Sequence, residues 1–158
     1  MRGEQKINVC DAEIVNVTAS SFNSNRLPKN AVDFDSKNYF LSDNNYPWLK
    51  YDFKDKKIRP TSYSIMTRDD SDNQNPVNWC IEVSNTDKDN DWKIIDTRKN
   101  VSSVSKRNQS DTFDISTKLP DNESYRYVRF RSNGKSSGNG NYLYIAISSI
   151  EYFGTLVE

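Results

Sequence analysis

Residues 47–53, PWLKYDF, alternate in the manner of a half-buried strand: Leu49, Tyr51 and Phe53 face one way, Trp48, Lys50 and Asp52 the other. NWCIEVSN (78–85) and YRYVRFRS (125–132) repeat the pattern, and in the latter Val128 and Phe130 lie opposite Tyr127, Arg129 and Arg131. Working outward, the same reasoning predicts strands over residues 14–19, 48–53, 60–67, 79–84, 92–97, 111–115, 126–131 and 145–153. Ala31, Val32 and Asp33 read as a short helical turn. Residues 102–108 read as a polar connection. Most of the Asn, Asp, Ser and Gly falls in three loops, 20–30, 68–78 and 132–142. The expectation is an all-β fold, an antiparallel jelly-roll β-sandwich of about eight strands. No repeat or linker divides the chain, so residues 1–158 are expected to form a single domain with its core at about 12–155. Short strands joined by long polar loops suit a binding module better than an enzyme.

Composition narrows the classes. Apolar residues make up 34% of the chain and the mean hydropathy is −0.89. Nine Tyr, seven Phe and three Trp offset that low apolar content, because each buries far more surface than an aliphatic side chain. The 22 basic and 22 acidic residues cancel and are interspersed, which argues against a nucleic-acid partner. No run of apolar residues is long enough to span a membrane, and the first residues, MRGEQKINV, carry no apolar signal core. An intracellular, cytoplasmic location is the corresponding expectation. Two cysteines, Cys10 and Cys80, do not make a disulfide framework, and Cys80, between Trp79 and Ile81, is expected to be a reduced, buried thiol. The sequons at Asn16, Asn100, Asn108 and Asn122 arise easily in a chain so rich in Asn and Ser, and carry little weight.

Several segments in order resemble one family. IVNVTASS (14–21) is similar to its first strand, and NAVDFDSKNYFLSD (30–43) to its A-x-D-G-x-x-x-T-x-W segment. WLKYDFKDKKIRPTSYSI resembles its W-L-x-I-D-L strand and the partner of that strand. NWCIEVSN with the later DWKIID, YRYVRFRS and SIEYFG resemble further strands, the last two the closing pair. On these residues the chain is identified as a member of the discoidin, or coagulation factor 5/8 type C, domains of the galactose-binding-like superfamily. DFKDKKIRPTSYSI and the terminal FGTL are most like the branch found in intracellular multidomain proteins.

Catalysis finds few candidates. The chain has no histidine, so His-dependent acid–base, nucleophile and metal chemistry is absent, and the acids of Asp69-Asp70-Ser71-Asp72 read as a solvated face. The domain is expected not to be an enzyme. By resemblance, a sugar site would use Arg68, Asn73 and Tyr142. A guanidinium and an amide can bridge adjacent hydroxyls while a ring stacks on the sugar's apolar face. The competing reading makes Arg68 a solvated loop cation and Tyr142 a core residue at a strand end. Leu41 stands where the family often has a histidine, which leaves the galactose set incomplete. The resemblance also implies a structural calcium ion at Asp33, Asp35 and Asn38, but Phe34 replaces Gly, Asn38 replaces Thr, and Ser149 stands in place of a Glu ligand. No cofactor is therefore expected. The loop tips are polar, so membrane insertion is not expected either. Trp48 is expected to pack over the end of the sandwich, and Arg126 to pair with Glu151 across the closing strands. The first functional expectation is docking of a protein partner or neighbouring domain through the loop end; the second is a glycan-binding module built on Arg68, Asn73 and Tyr142.

Overall fold

In the computed structural model, which describes residues 13–158, the described chain forms ten strands and two short 3-10 turns. The strands are β1 (Asn16–Ala19), β2 (Phe40–Leu41), β3 (Trp48–Asp52), β4 (Lys57–Met66), β5 (Trp79–Ser84), β6 (Lys93–Arg98), β7 (Ser110–Asp114), β8 (Tyr127–Ser132), β9 (Ala146–Ile147) and β10 (Ser149–Val157). A five-stranded sheet, β1-β3-β8-β5-β6, packs against a three-stranded sheet, β10-β4-β7, and a ribbon of β2 and β9 completes the sandwich. Every pairing is antiparallel. The jelly-roll expectation holds, with β2 as an additional short strand and the strand expected over 145–153 divided into β9 and β10. The first 3-10 turn, Pro28–Val32, takes in most of the expected helical turn. No helix among the described residues is long and apolar enough to cross a membrane.

The predicted alternation sets which side chains enter the core. Leu49 and Tyr51 from β3, Val128 and Phe130 from β8, and Trp79, Ile81 and Val83 from β5 face Tyr63, Ile65, Phe113 and Ile150 of the other sheet. Trp79 meets Phe113 edge-on at 5.3 Å between ring centres and stacks on Phe130 at 5.7 Å. Such ring pairs contribute about 0.5–1.5 kcal/mol each beyond their buried area.

On the outer face of the five-stranded sheet the outcome differs from expectation. Because Leu49 turns inward, the two-residue period turns Trp48 outward, opposite Arg131. It is half-buried there, with Lys50 Nζ 5.0 Å from its ring centre, and does not pack over the sandwich end. Nor do Arg126 and Glu151 form the expected pair. Glu151 lies on β10 in register with Ser64, in the opposite sheet, whereas Arg126 grips Asp52 through Nε at 2.7 Å and Nη2 at 3.0 Å. All six residues of β5 are buried, including outward-facing Cys80 and Glu82. Glu82 accepts from Arg129 Nε at 2.5 Å and Arg131 Nη2 at 2.8 Å, and Arg129 in turn lies 3.9 Å from the Trp92 ring centre. These long side chains close over the strand. Cys80 is a free, buried thiol; Cys10 lies outside the described residues.

Candidate functional site

At one end of the sandwich the loops are bound to one another by short polar contacts. Ser137, in the 132–142 loop, is the hub. Its hydroxyl donates to the Asp72 carbonyl at 2.6 Å and accepts from the Asn75 amide at 2.9 Å, and its carbonyl accepts from the Gln74 amide at 2.9 Å. The Ala146 amide donates to the Gln74 carbonyl at 2.8 Å, which ties the same loop to β9. Residues 68–78 and 132–142 are therefore tied to each other, and loops held in place before a ligand arrives lower the entropy cost of binding.

Arg68 is not a solvated cation. It follows Thr67, whose hydroxyl donates to the Lys106 carbonyl at 2.7 Å, and it is only 8% exposed. Its Nε donates to Asp70 Oδ1 at 2.6 Å, Nη1 to Gln74 Oε1 at 3.2 Å and Nη2 to the Tyr39 hydroxyl at 2.6 Å. The Tyr39 ring also lies close to two guanidinium carbons, Arg26 Cζ at 3.9 Å and Arg68 Cζ at 4.2 Å from its centre. The bond from Arg68 holds the Asp70 carboxyl below the usual carboxylate range, with the Arg26 charge adding to it.

Asn73 lies against Gly138, whose φ of +107° favours glycine, and a Cβ there would collide with Asn73 Oδ1. Tyr142 stands beside Gly140 and meets Tyr144 edge-on at 5.6 Å. Tyr46, 52% exposed, is joined to the same segment through its amide, which donates to the Leu143 carbonyl at 3.1 Å. The two loops bearing Arg68, Asn73 and Tyr142 are thus brought to one end. Leu41 pairs with Ala146 in the β2–β9 ribbon, and Tyr39, two residues earlier, lies beside the Arg68 guanidinium. A shallow groove of about 470 Å³ runs on from Ser137 and Gly138 towards Asn100 and Ser102.

Sequence reasoning missed Tyr39, Asp70, Gln74, Tyr46 and Tyr144. Tyr39 could have been found from the two-residue period, because it and Leu41 lie on the same side of an extended chain and either could face Arg68. Asp70 was hidden in an acidic run.

Of the residues considered for a calcium ion, Asn38 Nδ2 is directed at Asp33 Oδ2, and Asp35 Oδ1 accepts from the Lys37 amide at 3.0 Å, which closes a turn. Ser149 lies in β10 opposite Met66. Among the described residues no three His, Cys, Asp or Glu side chains are placed to hold a metal ion.

With that geometry in view, residues 16–147 match the F5/8 type C domain, and the chain belongs to that family. No curated protein matches it by sequence. Among solved structures it is similar to CBM32-3 from a family 31 glycoside hydrolase of Clostridium perfringens, at 18% identity over 92% of this chain and 94% of that one, with a TM-score of 0.72. It is also similar to the family 32 carbohydrate-binding module of Clostridium perfringens NanJ, solved with galactose, at 11% identity over 89% and 93%, TM-score 0.67. A third is a fucolectin from striped bass (Morone saxatilis) serum, at 18% identity over 93% of this chain and 48% of that one, TM-score 0.67. Identities this low carry the fold alone. The family is one of binding modules, and the narrower likeness to an intracellular branch finds no support in these structures.

Proposed function

We propose that this domain is a carbohydrate-recognition module whose site is the loop end around Arg68, Asn73 and Tyr142. The observation that carries the reading is the hydrogen-bonded cluster of Tyr39, Arg68, Asp70 and Gln74 on the same bound-together loops as Tyr142 and Tyr144. Fixed polar groups select hydroxyl geometry, and tyrosine rings offer an apolar surface to the carbon face of a sugar. The galactose complex of one structural relative and the fucolectin nature of another favour this reading over docking of a protein partner.

The test is an NMR titration with galactose, N-acetylgalactosamine, lactose and fucose. Saturable shifts at Asn73, Gln74 and Tyr142 at millimolar sugar, lost in Tyr142→Ala, would support it. Absence of any response in the folded domain would return the loop end to a protein partner.

A further inference from the structure

Within the glycan reading, on which this inference rests, Arg68 would be expected to touch the sugar. Its surroundings say otherwise. The guanidinium is buried, and all three of its nitrogens already donate to Asp70, Gln74 and Tyr39. Three of its five N–H groups are committed and the Arg68 side chain is only 10% exposed, so it presents little surface to a sugar.

Asp70 is what the loop presents. Its side chain is 49% exposed against 10% for that of Arg68. Oδ1 is held by Arg68 Nε at 2.6 Å, while among the described residues Oδ2 has only the long 3.4 Å contact from the Tyr39 hydroxyl. A carboxylate anchored through one oxygen and open at the other is a preorganised acceptor, and acceptance from a hydroxyl by a charged oxygen is among the stronger hydrogen bonds. The charged groups facing it are Arg68 on its own loop and Arg26 from the 20–30 loop. Arg26 lies over the Tyr39 ring with Nη1 directed at the Lys37 carbonyl, 3.5 Å away.

We infer that Asp70 contacts the ligand, accepting hydroxyl hydrogens from a sugar, and that Arg68, the more buried of the two, is a positioning residue that aims its carboxylate.

The experiment uses galactose, N-acetylgalactosamine, lactose and fucose as probes in NMR titrations of the whole domain, with spectral dispersion as the check of folding. Wild type is expected to bind at least one of these sugars at neutral pH. Asp70→Asn, which preserves shape, is expected to lose about tenfold or more for that sugar. In Arg68→Lys binding is weakened but persists. Because Arg68 holds the Asp70 carboxyl low, binding is present above that carboxyl's pKa and disappears as pH falls through it, so Arg68→Lys moves the acid limit of binding upward. Unchanged affinity in Asp70→Asn would overturn the assignment. Loss of binding in folded Arg68→Lys at every pH would do the same, by making Arg68 the contact. Failure of wild type to bind any probe overturns the glycan reading itself, and this assignment with it.

Discussion

The Tyr63 hydroxyl donates to Asp96 Oδ2 over 2.5 Å, a buried bond that joins the three-stranded sheet to the five-stranded one through the middle of the core. The same hydroxyl accepts from Trp79 Nε1 at 2.9 Å, and Asp96 also accepts from Arg98 Nε at 2.9 Å and the Ser116 amide at 3.2 Å. Burial raises the Asp96 carboxyl, but the bonds from Arg98, Tyr63 and Ser116 outweigh burial and hold it below the usual range. The Tyr63 hydroxyl, the Trp79 indole and the Asp96 carboxylate each find a partner, so the two sheets are joined by hydrogen bonds as well as packed.

Removing that hydroxyl should be felt twice. Tyr63→Phe leaves the Trp79 indole without its acceptor and is expected to cost about 1–3 kcal/mol in urea unfolding. A depressed carboxyl stabilises the fold above its unfolded pKa, and that contribution is lost as pH falls through the folded value. Without the Tyr63 donor the Asp96 pKa rises, so acid unfolding of the variant should begin at higher pH. An unchanged acid limit would show that Tyr63 does not hold the charge.

The two strand-opening tryptophans should separate cleanly. Trp79, fully buried among Tyr63, Phe113 and Phe130, should cost about 3–5 kcal/mol on truncation to Ala. Trp48 lies half-buried on the outer face with a lysine over its ring, and Trp48→Ala should cost about 1–2 kcal/mol. Equal shifts in unfolding midpoint would contradict the outward placement.

The reason such a distinction escaped the sequence is instructive. Alternation in WLKYD and YVRFRS assigned the inward faces correctly, because Leu49, Tyr51, Val128 and Phe130 obey a two-residue period. It could not say what covers the other face. Burial of Glu82 depends on Arg129 and Arg131 folding over it, and those contacts come from a strand 47 or more positions away. β2 was invisible because two residues carry no period, and the strand expected over 145–153 ran β9 and β10 together. In the loops, residue type suggested Arg68 and Asn73, but the partners of Arg68 come from both sides of the fold's sequence: Tyr39 lies 29 positions earlier, and Asp70 sits in what read as a solvated acidic run.

Cys80 should be chemically silent in the native state. Burial, with the Glu82 carboxylate beside it, pushes the thiol up to about 11, so almost none is thiolate at neutral pH. Iodoacetamide labelling of Cys80 should be slow and accelerate on adding urea; rapid labelling without denaturant would contradict the buried placement.

Gly138 should matter out of proportion to its size. Gly138→Ala combines a strained φ with a Cβ that collides with Asn73 Oδ1, so Asn73 must shift. A cost of about 1–2 kcal/mol is expected, with NMR shift changes concentrated in residues 71–75 and 136–142. Changes spread evenly over both sheets would show that the loops are not coupled as described.

The central claim is that the loop end recognises sugar, and the most direct measurement is the residue-resolved NMR titration of the wild-type domain with the galactose, N-acetylgalactosamine, lactose and fucose panel. The account predicts saturable shifts with at least one sugar, confined to the loops holding Tyr39, Asp70, Asn73, Gln74 and Tyr142. Shifts centred instead on Trp48, Trp92 and Tyr127 on the outer sheet face, or no shifts with any sugar, would contradict it.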